Sequence, residues 1–281
     1  MTMRFPLPRF CRTMVPAAAL AAVLAVSACG TGEIPTAAEI KRDNEESRAR
    51  QLVRVGDASR TGGDAASALA FYQRARAKRP EWDEPYRRIG ETALSIGLAA
   101  EAAQAYTQLA ALMPDDAPAH LGLGRALIAL DRPGEAGDAF RRAHAADPKD
   151  HRALNGLGIA RDLTGDHAGA QAFYRQGLAL SPDSPSLNNN LGLSLALSGK
   201  FAEAITILGA AAKAPTAGPQ TRQNLALVYG LSGDMERAAK IGRLDLSEPQ
   251  VQSNLKRYEE LRKLSDKARA KAVHTGQRPE G

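Results

Sequence analysis

The sequence predicts an all-α fold, a right-handed superhelical solenoid of about six helix–turn–helix repeats followed by a C-terminal capping helix. The first observation is a ladder of four prolines spaced 34 residues apart, Pro80, Pro114, Pro148 and Pro182. A constant period of roughly 20–50 residues is typical of repeat proteins. Two series of small residues share this period and run in the same register. They are Gly56, Gly90, Gly124, Gly158 and Gly192, and Ala68, Ala102, Ala136, Ala170, Ala204 and Ala238.

Two further series complete the pattern of one unit. A bulky side chain lies four residues after each of the first five alanines, at Tyr72, Tyr106, Phe140, Tyr174 and Leu208. Turn glycines lie at Gly63, Gly97, Gly165, Gly199 and Gly233, with Asp131 in the one gap. Small residues let two antiparallel helices approach closely, and the bulky residue fills the space beside them. Proline ends the second helix because it lacks an N–H and clashes with the preceding turn.

This pattern resembles the tetratricopeptide repeat (TPR), a helix–turn–helix unit of about 34 residues. The predicted TPR domain covers 48–246, with units at 49–82, 83–116, 117–150, 151–184, 185–218 and 219–246. The unit that begins at Asp83 matches the pattern well, through Tyr86, Ile89, Gly90, Gly97, Ala102, Tyr106 and Pro114. The sixth unit is degenerate, because Ala226 replaces the paired glycine and Gly242 stands where the aromatic is expected. Terminal repeats are usually atypical, since one side must face water.

Residues 247–267 follow the last unit as a predicted capping helix. Ser247 is a candidate N-cap, and Pro249 lies in the first turn. We expect one apolar stripe of this helix to cover the last repeat, although a separate binding element is the alternative. The stripe contains Val251, Leu255, Tyr258, Leu261 and Leu264. The polar segment 268–281 is expected to be disordered.

The first 28 residues are expected to be a lipoprotein signal peptide that is removed. Their only charged residues are three arginines near the start, and the apolar stretch 14–28 is short for a membrane span. Val26-Ser27-Ala28 before Cys29 resembles the bacterial lipobox, which implies a lipid on Cys29. Ordinary cleavage after Ala28 is the alternative. Glycine rather than aspartate at position 30 implies sorting to the outer membrane, with the body of the protein in the periplasm.

A tether at 29–47 is expected between the lipid and the repeats. Its charged part, beginning near Glu39, could form a helix that leads into the first unit. Cysteine is absent after position 29, so intramolecular disulfides are excluded and helix packing must supply the stability.

Composition and motifs exclude several classes of function. Removal of 1–28 lowers the formal charge from +6 to +3, because that segment contains three arginines and no acidic residue. So small a charge gives weak support for a nucleic-acid partner. The five histidines lack metal-ligand spacing, and neither a nucleophile elbow nor a phosphate loop is present. We therefore predict no catalytic residue, no metal, no cofactor, no small-molecule substrate and no nucleic acid.

The candidate functional surface is the inner face of the superhelix, which the TPR resemblance assigns to the first helix of each unit. Amides concentrate there in the last three units, and an amide can donate to and accept from an extended peptide backbone. Leucines make the C-terminal end of this groove apolar, which suits an amphipathic helix. The alternatives are structural asparagines and leucines packed by the capping helix. The candidate groove residues are Asn155, Asn189, Asn190, Leu193, Gln223, Asn224 and Leu227.

The C-terminal half carries a more particular resemblance. Residues 190–199 and 222–234, with Asp245-Leu246 and Asn254-Leu255, look like the TPR lipoprotein of the tight-adherence (Tad/Flp) pilus system, the TadD type. This resemblance implies a periplasmic assembly factor at the outer membrane, with pilotin-like support of the secretin channel. Its implied partners are the secretin or another pilus component, and the membrane through the lipid on Cys29. The alternative is a TPR adaptor lipoprotein for other cell-envelope machinery, such as peptidoglycan or outer-membrane assembly.

Overall fold

The computed structural model describes residues 36–215 and 217–275, which form fourteen α-helices and contain no strand. The predicted signal peptide, Cys29 and the first part of the tether lie outside the described residues, as do 276–281. The helices are α1 (Ala37–Thr61), α2 (Ala65–Lys78), α3 (Asp83–Ser95), α4 (Ala99–Leu112), α5 (Ala117–Ala129), α6 (Pro133–Ala146), α7 (His151–Leu163), α8 (His167–Leu180), α9 (Pro185–Leu197), α10 (Phe201–Ala211), α11 (Pro219–Ser232), α12 (Met235–Gly242), α13 (Glu248–Lys263) and α14 (Asp266–Thr275).

The helices from α1 to α12 pair along the chain into six hairpins, units 1 to 6, and each hairpin packs on the next. Successive first helices also contact one another from α3 through α5, α7 and α9 to α11, so they form one inner layer. The second helices form the outer layer. Helix α13 packs on α11 and α12 at the end of the stack. The prediction of an all-α TPR solenoid with a capping helix is confirmed.

Contact between an aromatic ring and a glycine holds the layers together. The ring of Tyr106 on α4 lies on Gly90 of α3, where an added Cβ would be 2.6 Å from the ring. The same ring also lies against Gly122 of α5 in the next unit. Phe140 makes the same two contacts one unit later, and the side chains of both residues are buried. Each ring therefore fixes both the spacing within a unit and the spacing between units.

The ladder prolines lie where the sequence places them, two residues after a second helix ends. The loop that follows is closed by a side chain of the next first helix. The Tyr86 hydroxyl donates to the Pro80 carbonyl at 2.8 Å, and His120 Nε2 lies 2.7 Å from the Pro114 carbonyl. The loop between units is thus tied to the unit that follows it.

The predicted turn residues all have positive φ angles, which confirms their role between the two helices of each unit. The five glycines have φ between 78° and 95°. Asp131 has φ 58°, the one non-glycine residue with positive φ in the described part of the chain. Aspartate tolerates this region better than most side chains do, so it can replace the glycine.

The expectation that 268–281 is disordered is wrong for residues 268–275, which belong to α14. Composition missed this helix because it is stabilised by tertiary contacts rather than by large apolar residues. Ala270 and Ala272 are 0% and 4% exposed. The Arg269 guanidinium donates to the carbonyls of Leu261 and Leu264 at 3.0 and 2.8 Å, which satisfies acceptors at the end of α13.

At the other end of the chain, residues 37–47 of the predicted tether form the first turns of α1. The Glu46 carboxylate lies 2.8 Å from the Arg79 guanidinium just after α2, which ties this extension to unit 1. No helix within the described ranges is both long and apolar enough to cross a bilayer.

The ring–glycine contact predicts opposite effects for two glycine-to-alanine substitutions in helices. Gly90→Ala should lower the free energy of unfolding by about 1–3 kcal/mol, because the Tyr106 ring has no room to withdraw from the added methyl. Gly209→Ala on α10 is the matched control, since nothing lies within 4 Å of its added Cβ. Higher helix propensity should make that variant more stable by up to about 1 kcal/mol. Urea denaturation measures both, and stabilisation by Gly90→Ala would contradict the contact.

Candidate interaction groove

All seven candidate groove residues lie on inner-layer helices, as the sequence pattern predicts. Asn155 is on α7, Asn189, Asn190 and Leu193 are on α9, and Gln223, Asn224 and Leu227 are on α11. Their surroundings divide them into three groups. Three amides bond across the units, Asn224 bonds within its own helix, and Gln223 and the two leucines lie beside the C-terminal helices.

Three of the amides join neighbouring units. Asn190 Nδ2 donates to Asn155 Oδ1 at 2.9 Å, from α9 to α7. Asn189 Nδ2 donates to the Thr221 hydroxyl at 3.2 Å, from α9 to α11, while its Oδ1 is buried without a hydrogen-bond partner. These bonds give the asparagines a structural role between units.

The C-terminal end of the groove is covered by the chain's own helices. Gln223, Asn224 and Leu227 line a cavity of about 160 Å³ whose opposite wall includes Tyr258 of α13 and Val273 of α14. Gln220 Nε2 also donates to Asn224 Oδ1 at 3.1 Å within α11. Leu193 is buried in the cluster that contains Leu261 and Ala272. At this end of the groove the leucines are packed by the C-terminal segment, which is the alternative that the sequence raised.

An open pocket of about 390 Å³ lies further toward the N-terminus, between α5 and α7. Its floor is apolar, and two guanidinium groups and the Asn155 amide stand at its rim. The pocket is lined by Leu121, Arg125, Ile128, Phe140, Arg152, Asn155, Gly156 and Ile159. Of the residues that line it, sequence reasoning selected only Asn155, because it followed the amides toward later units. The available signal was two apolar residues on the inner helices, Leu121 at position 5 of unit 3 and Ile159 at position 9 of unit 4.

A fully buried carboxylate links units 4 and 5 behind the groove. Asp162 on α7 accepts from the Tyr174 hydroxyl at 2.9 Å and from the Ser194 hydroxyl at 2.7 Å. His167 Nδ1 lies 2.8 Å from the same carboxylate. Burial raises the pKa of Tyr174 well above its usual value, and the charge of Asp162 raises it further.

This cluster is structural rather than catalytic. Asp162, Ser194 and Tyr174 have no exposed surface, so a substrate cannot reach either hydroxyl beside the carboxylate. Within 36–215 and 217–275, no group of three or more acidic, histidine or cysteine side chains is placed to hold a metal ion. The inner face can therefore contribute shape, apolar surface and hydrogen bonds, which are the means by which one protein binds another.

The buried cluster predicts a large difference between two aspartate-to-alanine substitutions. Asp162→Ala leaves two buried hydroxyls and an imidazole without their acceptor, so we expect the free energy of unfolding to fall by about 3–5 kcal/mol. Asp138→Ala removes an exposed carboxylate that pairs with Arg141, and should change the free energy of unfolding by less than about 1 kcal/mol. Urea denaturation of the two variants gives both values, and equal losses would show that Asp162 does not join the units.

Comparison with known proteins agrees with this architecture. Two sequence models of the tetratricopeptide repeat family match the chain. One matches residues 93–158, and the other matches residues 138–185 and 156–221. No curated protein sequence matches the chain.

Three solved structures illustrate the likeness. MamA is 26% identical, with 59% of this chain and 91% of MamA covered at a TM-score of 0.55. PilW, described as a widely conserved type IV pilus biogenesis factor, is 19% identical, with 78% and 96% covered at 0.61. PilF of Pseudomonas aeruginosa is 17% identical, with 76% and 97% covered at 0.58. PilW and PilF share the fold with this chain at a sequence identity too low to indicate more. The repeat matches and the stacked hairpins identify this chain as a TPR repeat protein, a class of scaffold that mediates protein–protein interactions.

Proposed function

We propose that this chain is a periplasmic, outer-membrane-anchored TPR scaffold lipoprotein for Tad/Flp pilus biogenesis, with pilotin-like support of secretin assembly. The pilus assignment depends on the residue pattern of the C-terminal half, and the anchor depends on the lipobox before Cys29. One of the structures with this fold, PilW, is described as a type IV pilus biogenesis factor. That agreement is in fold, and supports the proposal without deciding it.

The observation that carries the binding part of the proposal is the open pocket between α5 and α7. Its floor offers apolar side chains from two units, including Leu121 and Ile159, to a partner's apolar anchor. Arg125 is exposed at the rim, and the Arg152 guanidinium lies 2.7 Å from Asp150. Buried apolar anchors surrounded by polar groups supply most of the affinity of protein interfaces. We infer a partner segment with an apolar anchor and a nearby carboxylate that reaches Arg125.

The role of such a scaffold is positional. A lipid on Cys29 would hold the solenoid at the membrane, and the groove would hold a secretin subunit or another pilus component beside it. Binding then raises the local concentration of that component where the channel assembles. No chemical step is required of the chain.

Complementation of a gene deletion tests this proposal. Deletion should lower the amount of secretin in the outer membrane and the number of surface pili. The wild type and the outer-layer variant Arg141→Ala should restore both. Leu121→Asp with Ile159→Asp should restore neither, because two carboxylates replace the apolar floor of the pocket. Immunoblots of membrane fractions and counts of pili give the result, and a circular dichroism spectrum shows that the pocket variant is folded.

The anchor is tested in the same strain. Cys29→Ser should lose the incorporation of labelled fatty acid and should fail to restore secretin in the outer membrane. Labelling that survives this substitution would refute lipidation at Cys29. Unchanged secretin in the deletion strain would refute the pilotin role, and co-purification with peptidoglycan or outer-membrane assembly proteins would favour the adaptor alternative.

A further inference from the structure

The C-terminal helix α14 occupies part of the inner face in the manner of a ligand. It contacts α7 and α9, the inner helices of units 4 and 5, and also α13, the helix that precedes it in the sequence. The side chains of Ala270 and Ala272 are buried, and Val273 lies at the cavity that α11 and α13 also line. A segment outside the repeats thus covers the surface that the repeat pattern assigns to a partner.

The polar contacts of α14 are strongest at its first turn. Arg269 bonds to the carbonyl groups at the end of α13, and the two-residue link of Leu264 and Ser265 joins the helices. Further along, Lys271 Nζ lies 2.7 Å from Asp131 Oδ2, in the turn between α5 and α6. Both side chains of this ion pair are about half exposed. The part of α14 beyond Arg269 is attached through small apolar side chains, this exposed ion pair and a long hydrogen bond, 3.4 Å, from the Arg257 guanidinium of α13 to the Ala272 carbonyl.

Helix α14 is poorly suited to remain in place by itself. A helix of ten residues is not stable alone in water, so its conformation depends on docking. Alanine methyls bury little apolar area, and an exposed ion pair contributes little to stability. Segments held by so few buried contacts open locally at low free-energy cost. Loss of the docked position would expose the inner face of units 4 and 5, including Leu193.

We propose that α14 is a displaceable occupant of this inner face, and that the same face binds a short helix of a partner protein with the chemistry of α14. Small side chains of that helix contact α7 and α9, and a lysine or arginine faces Asp131. The identity of the partner rests on the proposed function, whereas the surface and its helix do not. Because α14 is tethered beside its site, it competes at a high effective concentration and weakens the apparent affinity for the partner helix.

A synthetic peptide of residues 265–281 is the probe for this surface. A chain that ends at Leu264 should bind the labelled peptide in a fluorescence anisotropy titration. The full chain should bind it at least about tenfold more weakly, since its own α14 occupies the site. The matched control peptide carries Ala270→Glu and Ala272→Glu, which place carboxylates in the buried contact, and it should not bind.

A second variant keeps the chain at full length. Ala270→Glu with Ala272→Glu in the full chain should release α14, so this protein should bind the wild-type peptide as the truncated chain does. Hydrogen exchange of α7 and α9 should rise in both proteins. Asparagine tolerates positive φ but lacks the negative charge of aspartate. Asp131→Asn should therefore reduce the salt dependence of peptide binding, because the peptide's Lys271 loses its ion pair.

Three results would overturn the inference. They are a folded truncated chain that does not bind the peptide, a full chain that binds it equally well, and unchanged hydrogen exchange when α14 is released. The proposed function fails separately. Normal secretin assembly in the deletion strain, with peptide binding intact, would refute the pilus role and leave the helix-binding surface in place.

Discussion

The packing of an aromatic ring between glycines of successive units is the contact on which the rest of the structure depends. The Tyr106 ring lies against Gly90 in its own unit and Gly122 in the next. One side chain therefore sets two distances, and its repetition by Phe140 carries the same geometry along the stack. The first helices consequently form one continuous inner layer. The open pocket, the amide pairs between units and the docking place of α14 all lie on that layer.

The C-terminal end shows what replaces this contact when the repeat pattern fails. Unit 6 has Ala226 at the paired-glycine position, and its second helix has only eight residues. Tyr258 of α13 provides the missing ring, and it packs on Gly230 of α11. The last repeat is thereby covered, and the chain then turns back as α14 over units 4 and 5. Two consecutive helices thus have different roles: α13 ends the stack, and α14 occupies its inner face.

Much of the fold could be predicted from the sequence because the contacts that build it repeat. Spacing alone located the ladder prolines, the turn glycines and even Asp131 in the position of a glycine. Helix α14 could not be predicted in this way, since its alanines are ordered by contacts with α7 and α9 that no periodicity reports. The same holds for the pairing of Asn190 with Asn155. Both asparagines were identified as groove residues, but which atoms they bond to depends on the distance between units.

The claim that the inner face holds the partner is tested most directly by photo-crosslinking in the native cell. A photo-reactive residue at Arg125, on the rim of the open pocket, should yield a crosslink to one envelope protein, which mass spectrometry identifies. The same group at Arg141, on the outer helix α6, should not. A pilus component captured from Arg125 alone is the result that we predict. The same partner captured from Arg141 and not from Arg125 would contradict a function carried by the inner face.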